Sequence, residues 1–292
     1  MQSLEAAPDG VAAVAHRIVH GGARFREPVA IDTDVERALE ALTELAPLHN
    51  APALAALAEA RRALPDVPHV AVFDTAFHAT MPEEAFTYAV PAIWRDRWGI
   101  RRYGFHGLSV QWASEQVRVP RLVVCHLGGG SSVTAVRDGR SVDTTMGFSP
   151  LEGVPMATRS GSIDPEIALH LQRTGRLELE EIEHALEHES GLAGLSGISS
   201  RMEELERSDD PAAGLAVAVF TYRVACAVGA MAAALDGLDA LVFTGGVGER
   251  SERVRKDVSE RLRFLGDFRV AVVEAREDVV AARAARALLA PP

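Results

Sequence analysis

Cysteine is scarce in this sequence, and the two that are present lie far apart. Cys125 and Cys226 are the only cysteines among 292 residues, and they do not have the spacing of metal ligands. This pattern argues against a disulfide framework and against a cysteine-based metal site. We therefore expect a reducing compartment, the cytoplasm. Residues 1–10 also lack the basic and apolar regions of a secretory signal, so we expect no export.

Basic residues are also fewer than acidic residues. The chain has 30 Lys and Arg against 41 Asp and Glu, a formal net charge of -11. This balance disfavours nucleic acids and anionic membranes as general partners, although arginines can still gather in one anion-binding cleft. The stretch Leu215–Leu235 is nearly all apolar and long enough to cross a bilayer. It carries Arg223 near its middle and stands alone, so we predict a buried core helix and no membrane partner.

Short apolar runs alternate with helical patterns, which predicts an α/β protein with a substantial core. Asp138-Gly139 is a hairpin signal, so the sheet is predicted to be mixed. Thr33 and Glu36 form a predicted capping box, and Pro52 is predicted to begin the next helix. The predicted strands are 14–19, 69–74, 121–127, 132–137, 140–144, 239–244 and 269–274. The predicted helices are 33–45, 52–64, 164–174, 178–189, 211–236, 251–264 and 277–290.

Two glycine-rich turns follow predicted strands. The first strand runs into Gly128, Gly129 and Gly130 and then into two serines, and the second leads into the turn that begins at Gly245-Gly246. Such turns bring backbone N–H groups against phosphate, at the strand ends where open α/β sheets bind ligands. We predict that both turns close on one polyphosphate, in a nucleotide-dependent phosphotransfer protein.

Four polar side chains stand in or beside apolar runs, and each also has a structural interpretation. Arg17 suits an anion site or a solvated edge strand, and Asp74 suits a catalytic acid or a helix cap. His106, beside glycine, suits either a reactive or a surface histidine, and Arg159 suits an oxyanion clamp beside capping residues. The acidic stretches are interpreted as solvated helix faces without function: 180–189 and 203–206.

Taken in order, a set of short motifs resembles the acetate kinase family. The motifs are His-Arg-Ile-Val-His-Gly-Gly (16–22), Pro-Leu-His-Asn (47–50), Phe-Asp-Thr-Ala-Phe-His (73–78), Arg-Tyr-Gly-Phe-His-Gly (102–107), Cys-His-Leu-Gly (125–128), Gly-Phe-Ser-Pro-Leu-Glu-Gly (147–153), Thr-Arg-Ser-Gly (158–161) and Phe-Thr-Gly-Gly-Val-Gly-Glu (243–249). The resemblance implies duplicated actin-like (ribonuclease H-like) α/β domains with mixed sheets. We place the boundary near 150, which gives domains 1–150 and 151–292.

The resemblance also implies a reaction, the reversible transfer of phosphate from ATP to acetate with Mg²⁺ or Mn²⁺. By this resemblance, Arg17 and Arg159 bind the carboxylate and the phosphoryl group, His106 donates to the transition state, and Asp74 is the catalytic acidic residue. A carboxylate is already ionised at neutral pH, so the reaction needs positive charge and alignment and does not need a general base.

The remaining implied residues form three groups. The acetate methyl pocket is implied to contain Val19, Leu48, Phe105 and Pro150. The nucleotide-binding residues are implied to be His126, Leu127, Gly128, Gly129, Gly130, Arg201, Met202, Glu203, Gly246, Val247, Gly248, Glu249 and Arg250. Glu277 is implied to be the magnesium-associated acid. The family also suggests a homodimer.

The sequence departs from the family pattern in several places. The family begins with a strand, a serine-rich phosphate loop and a lysine, which residues 1–13 do not match, so we expect a truncated first domain. Gly129 and Arg250 stand where asparagine is usual, and Arg201 and Glu203 invert the charges of an adenosine-contacting pair. Two alternatives therefore stay open: a propionate or butyrate kinase, and a non-catalytic homologue that binds nucleotide.

Overall fold

The computed structural model describes residues 10–45 and 47–290, and for residues 44, 45 and 47–49 it describes the backbone alone. The strands are β1 (Val14–Ile18), β2 (Val29–Ala30), β3 (His69–Phe73), β4 (Arg121–Leu127), β5 (Ser131–Arg137), β6 (Arg140–Thr144), β7 (Ala240–Thr244) and β8 (Arg269–Val272). The α-helices are α1 (Thr33–Ala41), α2 (Pro47–Ala63), α3 (Glu83–Phe86), α4 (Ala92–Trp98), α5 (Gly107–Gln116), α6 (Pro165–Arg173), α7 (Leu179–His188), α8 (Gly191–Ser196), α9 (Met202–Arg207), α10 (Pro211–Leu235), α11 (Gly245–Arg250), α12 (Glu252–Arg261) and α13 (Glu277–Leu289).

The first sheet has three strands in the order β1-β3-β2, with β1 parallel and β2 antiparallel to β3. The strand β3 is buried along its whole length, because helices cover both of its faces. On one face Ala71 and Phe73 pack with Leu39 of α1 and Leu57 of α2. The opposite face packs against α5 and α13 through Val70, Val72, Leu108, Val280 and Ala281. The polar residues that follow β1 and β3 are thus held by a rigid, doubly covered layer.

Two predictions for the starts of the helices that pack on this sheet are wrong. Asp32, and not Thr33, caps α1: its carboxylate accepts the N–H groups of Asp34 and Val35, at 2.9 and 2.8 Å. An ionised carboxylate at the cap also favours the positive end of the helix dipole. Pro52 does not begin α2 but lies inside it, since the helix begins at Pro47. Proline is favoured in the first turn of a helix, where its missing N–H costs nothing. Both Pro47 and Pro52 were candidates for that position.

The second sheet has five strands in the order β6-β5-β4-β7-β8, with β4 and β7 parallel at its centre. The predicted hairpin is confirmed: β5 and β6 are antiparallel, and Asp138 and Gly139 have φ angles of 49° and 78°. The sheet takes strands from both sides of residue 150, and the domain boundary stays a prediction. Because β4 and β7 are parallel, their glycine turns emerge at the same edge.

The long apolar helix α10 packs across this sheet. Its inner face, which includes Val217, Phe220, Val224 and Val228, joins the main core with Val123 of β4. By length and composition, α10 is the one helix of the described residues that is long and apolar enough to span a membrane, and half of its most apolar window is buried. The packing agrees with the prediction of a core helix.

Candidate active site

An arginine between two carboxylates joins β1, β3 and α13. Arg17 lies in β1, and its Nε and Nη2 donate to the Asp74 carboxylate at 2.8 and 2.6 Å. Its Nη1 donates to Glu277, the first residue of α13. The Arg17 side chain is 39% exposed whereas Asp74 is 1% exposed, so the arginine is open to solvent and the acid is not. The two acids predicted for catalysis and for magnesium therefore lie on opposite sides of one cation.

Charges within this group are coupled. Burial raises the pKa of Asp74, while the Arg17 guanidinium and the backbone N–H of His106 oppose that rise. Burial disfavours the charge on Arg17, but Asp74 and Glu277 outweigh it and raise the pKa of the guanidinium. Burial also raises the pKa of Glu277, with Arg17 opposing and Asp74 adding to the rise. Arg17 is therefore the charge that allows two carboxylates to lie close together.

The turn from Gly104 to Gly107 places His106 over Asp74. His106 has a φ of 59°, the left-handed region that is costly for a residue with a side chain. The N–H of Gly107 donates to the Asp74 carbonyl at 2.9 Å, and a Cβ on Gly107 would lie 2.2 Å from that oxygen. Buried His78 supports the turn from behind, with its Nε2 2.8 Å from the Phe105 carbonyl oxygen. The glycine pattern of the motif is thus explained by close backbone approach.

His106 and His126 form a closely spaced, tilted pair at the centre of the site. Their ring centroids are 4.1 Å apart, and the planes are inclined by 31°. Burial, followed by the neighbouring His126, Arg17 and Arg159, lowers the pKa of His106 well below its usual value. Burial and Arg17 lower the pKa of His126 to about 4. Both rings are therefore neutral at physiological pH, and both Arg17 and Arg159 lie near enough to His106 to act on it.

Arg159 reaches the site from the segment between β6 and α6. A Cβ on Gly130 would lie 3.6 Å from Arg159 Nη1 and 3.2 Å from His106 Nε2, which shows how closely the three groups approach. Its Nε pairs with Glu187 of α7 at 3.1 Å, and both side chains are less than one fifth exposed. The prediction that the stretch containing Glu187 is only a solvated helix face is therefore wrong. Nothing in the helical pattern of α7 marks that glutamate as different from its neighbours.

The two glycine turns lie side by side. The first turn is closed by a hydrogen bond of 2.9 Å from the Gly128 N–H to the Gly130 carbonyl. A Cβ on Gly128 would lie 3.8 Å from the Gly246 nitrogen, and one on Gly245 would lie 2.8 Å from the Leu127 carbonyl oxygen. The backbones of the two turns thus lie close together, beside His106 and Arg159. This is a setting for phosphate oxygens.

Other residues predicted to contact nucleotide have different positions. Leu127 and Met202 are buried in the main core, so their side chains do not reach the cleft. The Glu249 carboxylate accepts the N–H groups of Gly245 and Ala275, at 2.9 and 3.0 Å. Val247 packs against the core, and Gly248 is buried. Arg250 lies over Gly246. Arg201 is exposed and pairs with Glu203 and Glu204. We infer that Glu249 braces the turn rather than binding the ligand directly.

An apolar corner adjoins the histidine pair. Buried Phe105 packs with Met146 and Met156, and Val19 packs against this cluster. Pro150 is also buried. The side chain of Leu48 lies outside the described residues. Neither methionine could be selected from its sequence context, because a methionine in a loop carries no signal of its orientation.

The carboxylates fit a loosely held divalent cation. No group of three or more His, Cys, Asp or Glu side chains in the described part of the chain has the geometry to hold a metal alone. Mg²⁺ usually keeps several waters and takes only one or two carboxylates together with substrate phosphates. Asp74 and Glu277, which both pair with Arg17, provide such a pair of oxygen donors.

Comparison with known proteins identifies the family. The sequence model described as the acetokinase family matches residues 2–288. The chain belongs to the acetokinase family. Acetate kinases of Deinococcus deserti and Carboxydothermus hydrogenoformans are 51% and 47% identical to it, each over 88% of this chain and 67% of their own length. The chain therefore spans about two thirds of the length of the curated relatives that it matches.

Solved structures agree with that assignment. A propionate kinase from Francisella tularensis superimposes with a TM-score of 0.90 at 37% identity, covering 94% of this chain and 78% of that one. An acetate kinase from Porphyromonas gingivalis gives 0.88 at 35% identity, covering 96% and 79%. The predicted fold class is confirmed, and so is an acetate kinase type of phosphotransferase at the level of the family.

Proposed function

We propose that this chain transfers a phosphoryl group reversibly between ATP and acetate, giving acetyl phosphate and ADP. The observation that carries the proposal is the convergence of Arg17, Arg159 and His106 beside two adjoining glycine turns. Separate segments of the chain supply these groups, and together they form a donor-rich cleft. Such a cleft suits an anionic acceptor and an anionic donor.

The chemistry follows from the charges. Acetate is ionised at neutral pH and needs no base, so the barrier comes from bringing it against an anionic phosphate. Arg17 and Arg159 offset that repulsion, and neutral His106 donates a hydrogen bond to oxygens of the group in transit. The turn around Gly107 fixes His106 relative to Asp74, which keeps the donors in place before substrate binds.

Asp74 and Glu277 would hold Mg²⁺ or Mn²⁺ together with the nucleotide phosphates. When bound, the ion neutralises phosphate charge and aligns the transferring group. In the described structure, Arg17 occupies the space between the two acids. It therefore holds both acids in reach of an ion that arrives with the nucleotide.

A second candidate is transfer to a longer carboxylate such as propionate or butyrate. The similarity to a solved propionate kinase favours keeping it, because that similarity is as strong as the one to a solved acetate kinase. The apolar corner at Val19 and Phe105 would receive the alkyl group. One extra methylene changes binding by about 1–3 kcal/mol at such a site, so competition between the two acids decides.

A homodimer in the cytoplasm is part of the proposal. The outer face of α10 presents Leu215, Tyr222 and Cys226, which are spaced to lie on one side of the helix and are exposed. A second copy of the chain that packs on this face would remove this apolar surface from water.

Trapping of acetyl phosphate as its hydroxamate tests the proposal. The purified chain is incubated with ATP, Mg²⁺ and acetate or propionate, and ATP binding is measured in parallel. We expect hydroxamate to form, and to be lost in Arg159→Ala. Nucleotide binding without hydroxamate from either acid would contradict the proposal and favour the non-catalytic homologue. A higher kcat/KM for propionate would favour the second candidate.

A further inference from the structure

Each histidine of the central pair has its own buried serine. His106 Nδ1 lies 3.0 Å from Ser132 Oγ of β5, and His126 Nδ1 lies 2.8 Å from Ser109 Oγ of α5. Both serines are 0% exposed. The register of β4 and β5 places Ser132 opposite His126, so the serine that contacts His106 is also the strand neighbour of the other histidine. The proposed function uses His106, the sequence resemblance places His126 among the nucleotide-binding residues, and neither serine is yet explained.

The direction of these hydrogen bonds follows from what else the serines contact. In residues 10–45 and 47–290, the imidazole Nδ1 is the single hydrogen-bond partner of each serine Oγ. If Nδ1–H were the donor, each hydroxyl hydrogen would be buried without an acceptor, and a buried unsatisfied donor lowers the stability of the folded state. If the hydroxyl donates, its hydrogen and the Nδ1 lone pair are both satisfied. A neutral ring that accepts at Nδ1 carries its proton on Nε2.

The Nε2 atoms face the glycine turns. A Cβ on Gly130 would lie 3.2 Å from His106 Nε2, and a Cβ on Gly245 would lie 3.2 Å from His126 Nε2. The proton that the serine places on Nε2 is thus the one that can be donated at the turns. The opposite tautomer would present a lone pair to phosphate oxygens and would repel them.

We propose that Ser132 and Ser109 are positioning residues that hold His106 and His126 in the tautomer with the proton on Nε2, aimed at the phosphate-binding turns. The role in catalysis rests on the proposed function, whereas the tautomers themselves do not. Each serine acts on its own histidine, so each pair is the control for the other.

The tautomers can be measured in the free 292-residue chain by ¹⁵N NMR of the imidazole rings. The chain has ten histidines, and the signals of the two rings are assigned by their loss in His106→Gln and His126→Gln. We expect a protonated Nε2 and an unprotonated Nδ1 for both rings in the unsubstituted protein. A protonated Nδ1 on His106 would overturn the proposal, whatever the activity.

Single serine substitutions test the pairing. Ser132→Ala should change the nitrogen signals of His106 far more than those of His126, and Ser109→Ala should do the reverse. Ser131→Ala is the matched control, because Ser131 is also 0% exposed and its Oγ has no hydrogen-bond partner among the described residues. It should leave both tautomers unchanged. Ser132→Thr keeps the hydroxyl and should keep the His106 tautomer.

Kinetics link the tautomer to turnover. We expect Ser132→Ala to lower kcat roughly tenfold with the KM for acetate nearly unchanged, because donation to the transition state is weakened. Unchanged His106 signals in Ser132→Ala would overturn the proposal, as would loss of kcat in Ser132→Thr with its tautomer intact. A chain that shows both Nε2–H tautomers and their loss on substitution, but forms no acetyl phosphate, would support the serine roles and contradict only the proposed function.

Discussion

Replacing Arg159 with alanine separates the catalytic and the structural roles of this side chain. Arg159 has two kinds of neighbour: the site around His106, and Glu187 of α7 at 3.1 Å. An arginine that stabilises a phosphoryl transition state is typically worth about 10³-fold in kcat, or about 4 kcal/mol. The ion pair is partly buried, so its loss should lower the free energy of unfolding by only about 2 kcal/mol.

A double variant separates the catalytic role of Arg159 from its structural role. Arg159→Ala leaves the Glu187 carboxylate partly buried without this partner, and adding Glu187→Gln removes that charge. We expect the double variant to regain about 1 kcal/mol in urea unfolding while hydroxamate formation stays about 10³-fold down. Glu187→Gln alone should keep most of the turnover. Recovery of turnover together with stability in the double variant would refute the catalytic role, as would a kcat in Arg159→Ala within tenfold of the unsubstituted chain.

Three further variants test other parts of the site. Gly129→Asn should lower the KM for ATP about threefold, the worth of one hydrogen bond, because a Cβ there meets open space; an unchanged KM would contradict this. Val19→Ala should raise the ratio of kcat/KM for propionate over acetate about tenfold, and an unchanged ratio would place the alkyl group elsewhere. Burial lowers the pKa of His78 to about 4, so as the pH falls this residue is protonated in the unfolded state before it is protonated in the folded state. The contribution of His78 to the free energy of unfolding is therefore complete above pH 6.5 and decreases as the pH drops towards 4, by roughly 2 kcal/mol at pH 5. His78→Gln should flatten that fall in urea unfolding, and an equal slope would show that His78 does not cause it.

Sequence reasoning located the groups whose chemistry is visible in a short motif. Arg17, Asp74 and His106 stand beside glycines or at the ends of apolar strands, and the structure brings them together. The partners of these groups were not visible. Glu187 of α7 contacts Arg159 in a loop, and Ser132 of β5 contacts His106 in the turn before α5, so neither contact leaves a local pattern. Pairings of this kind depend on how layers pack, which the periodicity of one segment does not encode.

Two other differences have similar causes. Met202 and Leu127 belong to motifs that resemble nucleotide-binding segments, yet they are buried in the main core. A motif fixes the path of the backbone, and only alternate side chains along it can face a ligand. The cap of α1 differed because Asp32 and Thr33 are both good capping residues, and the sequence alone did not rank them.

The position of Glu277 has a consequence for biosynthesis. Its contact with Arg17 joins residues 260 positions apart, and α13 also covers Val70 and Val72 of the first sheet. A ribosome releases Arg17 and Asp74 long before it makes the helix that completes their surroundings. During translation the part of the first sheet that α13 covers therefore stays exposed at first, and the cation between the two acids acquires its second carboxylate only after residue 277 has emerged.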